Sequence, residues 1–294
     1  MTDNQHLDYV IRSIAYVNEF RGKTILIKLG GSILNDEALI ISLCDDLKVL
    51  TNCGIKIVVV HGGGHAINKQ LALQNVTSEF LDGLRVTSSE AMQVIEMVLC
   101  GQVNPLLIRK LNSVGLNAVG LSGADSNMLQ CEYHSQAHGC VGMISAVNTS
   151  PISQVISHLA IPVIAPIGVV TGGSPVNINA DYAASHIASA MKVDKLIYVT
   201  DQDGIYDKTG SVYSKLSSND LLSIIHDQTV QGGMLTKVRA ILSALNGQLK
   251  HVHILNGHKR HVLIEELFTE QGVGTLCYDE NKTDNQDFLL NEFL

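Results

Sequence analysis

An α/β chain, built on a mostly parallel sheet with helices on both faces, is what this sequence predicts. Three observations carry the expectation. Apolar runs of strand length alternate with amphipathic stretches of helix length over most of the chain. Hydrophobic residues make up 46% and charged residues 16%, with no Trp and only 5 Phe, so the core must be aliphatic. Two glycine clusters sit where strands should hand over to helices. At 294 residues the chain suits one large unit or two closely fused ones.

Taken in order, residues 6–20 read as an amphipathic helix, with Leu7, Val10, Ile11, Ile14 and Val17 at helical spacing. Residues 23–29 form a buried strand, 37–51 a helix and 55–61 a second strand, and another helix follows Gly62-Gly63-Gly64. A long helix over 88–114 is expected to break near Gly101 or Pro105. Residues 117–122, 162–166 and 195–200 are further short strands. Residues 128–147, rich in Gly, His and Ser, read as an antiparallel hairpin at the sheet's edge. The polar tail, 279–294, reads as disordered in its first half, with an apolar helical turn available at 288–294.

With 28 acidic against 20 basic residues the net charge is −8, and no block of Lys or Arg stands out. That argues against a nucleic-acid partner. An anionic ligand must then be held by a few local cations and backbone amides. Six cysteines without Cys-x-x-Cys spacing read as reduced thiols of a cytoplasmic protein, with disulfides or a structural zinc as the alternatives. The start of the chain lacks a signal pattern. The most apolar stretch, 161–170, is short and carries Pro162 and Pro166, so no membrane span is expected.

The first glycine cluster is Lys28-Leu29-Gly30-Gly31-Ser32 and the second is Val60-His61-Gly62-Gly63-Gly64. Glycine there lets amides approach an anion, and the next helix N-terminus adds positive potential. Neither the Walker pattern nor the dinucleotide fingerprint fits. A phosphoryl group shared between two turns does. Lys28 is the odd residue in an apolar strand: either it snorkels to water or it aims at that phosphate. Asn177-Ile178-Asn179-Ala180-Asp181 precedes a helix, and Asn179 or Asp181 could be no more than its N-cap. Gly232-Gly233-Met234 opens another helix that carries Lys237. Gly83-Leu84-Arg85-Val86-Thr87 offers an arginine suited to a carboxylate.

Together, in this order, these motifs resemble the amino acid kinase family. The Gly-Leu-Arg-Val-Thr motif with the triple glycine is similar to its acetylglutamate kinase branch. Thr200-Asp201 with Gly204-Ile205 joins the match, which covers residues 21 to 278. The resemblance implies an open αβα sandwich. An N-terminal lobe, 21–192, would bind N-acetyl-L-glutamate and dimerise, and a C-terminal lobe, 193–278, would bind MgATP. Carried over residue by residue, Gly63, Gly64, Arg85 and Asn177 would contact acetylglutamate. Lys28 and Lys237 would stabilise the transferring phosphoryl group, with Asp181 holding both. Gly30, Gly31, Thr200, Asp201, Gly204, Ile205, Tyr206, Gly232, Gly233 and Met234 would border the nucleotide, and Mg²⁺ would arrive through ATP. Where the family usually reads Gly-Leu-Ser-Gly-Lys-Asp-Gly, this chain has Gly120-Leu121-Ser122-Gly123-Ala124-Asp125-Ser126. That departure bears on substrate choice, so a relative acting on aminoadipate or aspartate, or a non-catalytic arginine or ATP sensor, stays open.

Among the twelve histidines, His251 and His253 would share one strand face, so a two-His metal site is one reading. The resemblance offers another. In the arginine-inhibited members a His, a Glu and a Gly at matching places form the arginine site. Here these are His253, Glu266 and Gly272, with Tyr16 from the N-terminal helix. The same resemblance implies that residues 1–20 interlace between dimers into a hexamer, a trimer of dimers; the alternatives are a helix folded back onto its own lobe and a plain dimer.

Overall fold

The computed structural model describes residues 3–269 and 272–282, and side chains from residue 11 onward. Expectations for residues 288–294, and for the side chains of Leu7 and Val10, lie outside the described residues.

Helix α1 (Asp3–Phe20) leads into strand β1 (Thr24–Leu29). Helix α2 (Glu37–Asn52), capped by the Asp36 carboxylate on the Ala38 and Leu39 amides, returns the chain to β2 (Lys56–His61). Helix α3 (Gly64–Leu73) is followed by a small hairpin of β3 (Phe80–Leu81) and β4 (Leu84–Arg85). Then come α4 (Ser89–Glu96), a π-helical stretch over Met97–Val103 and α5 (Asn104–Ser113). The expected break near Gly101 or Pro105 is absent. Gly101 lies within the π-helical stretch, whose wider turns run straight into Asn104 and accommodate Pro105 without ending the helix.

Strands β5 (Ala118–Ser122), β6 (Leu129–Tyr133) and β7 (Gly142–Val147) precede α6 (Ser150–Ser157). Strands β8 (Ile161–Ala165), β9 (Ile167–Val170) and β10 (Pro175–Asn177) lead to α7 (Ala180–Met191). The remainder is β11 (Lys195–Thr200), β12 (Lys215–Ser217), α8 (Ser218–His226), α9 (Gly232–Asn246), β13 (His251–Asn256), α10 (Val262–Phe268) and β14 (Thr275–Tyr278).

Eight strands form the main sheet in the order β12-β14-β13-β11-β1-β2-β8-β5, parallel throughout except for β13 against β14. Alternation along the central strands feeds two cores. Leu26, Val58, Val60, Leu196 and Tyr198 face one side, with residues of α7 and α9. Ile25, Ile27, Ile57, Val59 and Ile197 face the other, with α2, α5 and α10. Residues 128–147 do form an antiparallel pair, β6 with β7, but not at the edge of this sheet. The chain leaves the main sheet at Pro166, between β8 and β9, and β9 supplies β6 with a partner. A separate sheet, β10-β9-β6-β7, results.

The C-terminal half of α1 lies on its own chain. Tyr16 and Phe20 are buried, and Ser13 Oγ bonds the Phe268 carbonyl at 3.3 Å, whereas Ile11 and Ile14 stay 64% and 54% exposed. The start of the tail is tied down too, since Lys282 Nζ donates to the Gly247 carbonyl at 2.8 Å. Among the described residues one helix, Ser89–Ser113, is long and apolar enough to cross a membrane, and half of its apolar window is buried inside the fold.

Candidate active site

Because alternation turns Lys28 to the same face as Leu26, its side chain points at helices α7 and α9 rather than to water. Asn179 is the N-cap of α7: its side chain accepts from the Asp181 and Tyr182 amides at 2.8 and 3.4 Å. Capping is thereby settled without Asp181, whose carboxylate is left for other work. Asp181 Oδ1 pairs with Lys28 Nζ at 2.7 Å and Oδ2 with Lys237 Nζ at 3.0 Å. All three residues are buried. Burial alone would raise the Asp181 pKa, but Lys237 and Lys28 outweigh it and bring it down to about 2. Burial pulls Lys237 below the usual lysine range, against the attraction of Asp181. With both lysines charged, the cluster holds two cations to one anion beside the adjoining cleft, where Asp201 supplies a second carboxylate.

That cleft, about 700 Å³, is lined by Lys28, Gly30, Gly31, Gly64, Asp181, Thr200, Asp201, Tyr206, Gly233, Met234 and Lys237, all expected from sequence. The two glycine turns adjoin there: a Cβ on Gly31 would stand 3.1 Å from the Gly64 amide nitrogen. The first turns of α3 and α9 open onto the same space, adding backbone amides suited to an anion. Gly63, Gly204, Ile205 and Gly232 are not in the lining. Gly63 is the N-cap of α3, and Gly232 begins α9. Ile205 is wholly buried, and its amide is bonded to Thr275 Oγ1 at 2.9 Å. Ser32, Asn68 and Gln231 line the cleft without having been expected. Ser32 closes the first glycine cluster, whereas nothing in the spacing of Asn68 or Gln231 sets them apart from ordinary surface polar residues.

Arg85 is buried on β4. Its Nη1 donates to Ser78 Oγ at 3.0 Å and its Nη2 to Asn68 Oδ1 at 2.5 Å, while Phe80 packs on the guanidinium at 4.7 Å. Among the described residues no carboxylate pairs with it. Asn68 joins it to the cleft wall. Asn177 is drawn to the same place, since its Nδ2 donates to Thr87 Oγ1 at 3.2 Å and Thr87 Oγ1 donates to the Arg85 carbonyl at 2.9 Å. The tip of this hairpin seats on α9. Gly83 has φ +79°, and a Cβ there would collide with the Thr236 hydroxyl.

A match to the model of the amino acid kinase family runs over residues 23–256. The chain belongs to the amino acid kinase family. An acetylglutamate kinase from Campylobacter hominis is 40% identical over 270 residues, 92% of this chain and 95% of that one. Another, from Clostridioides difficile, is 40% identical over 286 residues, 96% of this chain and 100% of that one. Among solved structures, an N-acetylglutamate synthase from Neisseria gonorrhoeae, complexed with coenzyme A and N-acetyl-glutamate, superposes with a TM-score of 0.83 at 25% identity. That match covers 93% of this chain, which spans 63% of the synthase.

In this amino acid kinase the departing segment turns from buried Gly123 and half-buried Ala124 out to exposed Asp125 and Ser126. Ala124 packs with the α3 and α4 core, and Asp125 Oδ2 accepts from the Ser122 amide at 2.7 Å. Sequence reasoning also passed over His61 and Asn104, behind the second glycine turn. His61 is fully buried, with Nδ1 2.9 Å from the Gly62 carbonyl and Nε2 3.1 Å from Asn104 Nδ2. Nδ1 therefore carries the proton, and burial lowers the pKa of the ring to about 4.

Tyr16, His253, Glu266 and Gly272 line a second cavity of about 600 Å³, together with Glu19, Phe20 and Lys195. Glu266 is its buried acid, with Oε1 at 2.5 Å from His253 Nδ1 and 3.3 Å from Lys195 Nζ, and Oε2 accepting from the Val273 amide at 2.9 Å. Burial would raise its pKa, but these partners hold it at about 2. His253 therefore turns towards a carboxylate, and no group of three or more metal-ligating side chains occurs among the described residues.

Proposed function

We propose that this amino acid kinase is an acetylglutamate kinase of the cytoplasm. It transfers the γ-phosphoryl group of ATP to the side-chain carboxylate of N-acetyl-L-glutamate, an early step towards arginine. The observation that carries the reading is the buried Lys28–Asp181–Lys237 cluster, with its excess positive charge, at the wall of a cleft bordered by two glycine turns. Relatives named acetylglutamate kinase over nearly the whole chain supply the substrate.

The attacking carboxylate is already ionised near neutral pH, so no general base is needed. Its oxygen bonds to the γ-phosphorus as the bond to the bridging β–γ oxygen breaks, and ADP leaves. Repulsion between the two anions is the main obstacle. Lys28 and Lys237 meet charge on the transferring group, Asp181 fixes their positions, and turn amides hold the phosphates. Arg85, buried and without an acid partner among the described residues, takes a carboxylate of acetylglutamate, with Gly63, Gly64 and Asn177 completing that side. Residues 21–192 then form the acetylglutamate lobe and 193–278 the nucleotide lobe. With Asp181 committed to both lysines, Mg²⁺ would arrive with ATP and would offset the charge of its phosphates.

ADP release, measured separately with acetylglutamate, aspartate and aminoadipate, tests the proposal. Release with acetylglutamate alone is expected. Release only with another acid would move the substrate, and release with none would leave a binding protein.

We propose further that L-arginine is an inhibitor bound in the Tyr16 cavity. Support comes from the four residues lining one space with a buried acid, Glu266. A guanidinium would reach Glu266 by displacing Lys195, the longest of its contacts. The exposed Ile11 and Ile14 on α1 suit a contact with a neighbouring α1, building a hexamer from three dimers.

A further inference from the structure

Beneath the Lys28–Asp181–Lys237 cluster lies Tyr198, fully buried in β11 and in register with Lys28 of β1. Its hydroxyl oxygen stands 2.6 Å from Ser185 Oγ and 3.0 Å from the Asp181 carbonyl oxygen. Ser185 Oγ in turn lies 2.6 Å from the Ala240 carbonyl oxygen. Two hydroxyl protons serve these three contacts. A carbonyl cannot donate, so Ser185 gives its proton to Ala240, and Tyr198 shares its own between Ser185 and Asp181. Asp181 and Ser185 are one turn apart on α7, and Ala240 is one turn beyond Lys237 on α9. The hydroxyls therefore strap together the two helices that carry the ion pair.

The ring has a second contact. Lys237 Nζ sits 5.1 Å from its centroid, within reach of a cation–π interaction. Burial and the Lys28 ammonium hold Lys237 below the usual lysine range, against the carboxylates of Asp181 and Asp201, which favour its charge. An aliphatic residue would fill this strand position with no hydroxyl to satisfy.

We propose that Tyr198, acting with Ser185, is a positioning residue for phosphoryl transfer: its hydroxyl sets Asp181 against Lys237, and its ring face carries the Lys237 ammonium. The inference rests on the kinase reading above, in which Lys237 meets the transferring group. Tyr198→Phe keeps the ring and loses the strap, Ser185→Ala breaks the strap from the other side, and Tyr198→Leu removes both features.

Two readouts test it on the full chain: kcat and KM for ATP and acetylglutamate, and the titration midpoint of Lys237. The midpoint is followed by NMR on ¹³C-labelled lysine and assigned with Lys237→Arg. Tyr198→Phe and Ser185→Ala should each lose about ten-fold in kcat, with both KM values held within about two-fold. Tyr198→Leu should also lower the Lys237 midpoint by about one pH unit, a shift absent from Tyr198→Phe. Wild-type kcat in Tyr198→Phe, losses shared equally by kcat and KM, or an unmoved midpoint in Tyr198→Leu would overturn the proposal. The titration needs no turnover. A wild-type chain inactive on acetylglutamate would strike the substrate reading, while the Lys237 midpoint would still decide the role of Tyr198.

Discussion

Lys28 and Asp181 meet at 2.7 Å although one closes a strand and the other opens a helix far along the chain. The contact exists because Asn179, not Asp181, caps α7. If the pair and Lys237 serve charge that develops during transfer, Lys28→Ala or Lys237→Ala should cut kcat by about 10²–10³-fold. Substrate affinities should change much less. Near-wild-type turnover of Lys28→Ala would end the assignment.

Among the described residues, buried Arg85 donates to neutral oxygens, Ser78 Oγ and Asn68 Oδ1. A buried guanidinium without an acid is expensive unless a ligand supplies the anion. Arg85→Lys keeps the charge but loses the planar fork. KM for acetylglutamate should rise about ten-fold or more, with KM for ATP little changed. Equal changes for both substrates would make Arg85 a structural residue.

Gly83 touches Thr236, so the hairpin that carries Arg85 rests on the helix that carries Lys237. At φ +79° a side chain is strained by about 1–2 kcal/mol, and here it also meets the Thr236 hydroxyl. Gly83→Ala should lower kcat/KM for acetylglutamate on the order of ten-fold. Adding Thr236→Ala should restore part of that loss by making room. A double variant no better than the single one would show that the contact does not matter.

His61 is neutral and buried in the native state, with its pKa near 4 rather than 6.5. Between these values the unfolded chain binds a proton that the native chain does not, so stability rises with pH across this window. It is full above about pH 6.5 and is lost as the pH falls towards 4, by about 3 kcal/mol in all. His61→Gln retains a polar side chain for Asn104 but cannot titrate. Urea unfolding at pH 7, 6, 5 and 4 should show a shallower decline for this variant, and parallel declines would refute the linkage.

Much of this was legible because period-two alternation and glycine position are local signals. Lys28 stood out as a charge in an apolar strand, and both glycine turns fell at strand ends. What stayed hidden depends on contacts distant in sequence. Asn68 reads as one polar residue on a helix until Arg85 folds against it. Asn104 and His61 become partners only when α5 crosses β2. The second sheet was missed because β6 finds β9 across many residues, and no periodicity encodes a strand's neighbour. Tyr198 looked like one more apolar strand residue.

The N-terminal helix offers the last test. Tyr16 and Phe20 bind it to its own chain beside the Glu266 cavity, while Ile11 and Ile14 point outward. A ligand in that cavity would touch α1 and α10 at once, so its binding and the placement of α1 should be linked. If α1 also joins a neighbouring dimer, arginine would favour one assembly geometry over another, and inhibition would be a population shift. Light scattering should give a hexamer for the full chain and a dimer for a chain lacking residues 1–20. Arginine should inhibit the first and leave the second nearly unaffected. Glu266→Gln should weaken inhibition about ten-fold or more, without lowering kcat in the absence of arginine. A full-length dimer indifferent to millimolar arginine would remove the regulatory proposal and leave the phosphoryl-transfer site as described.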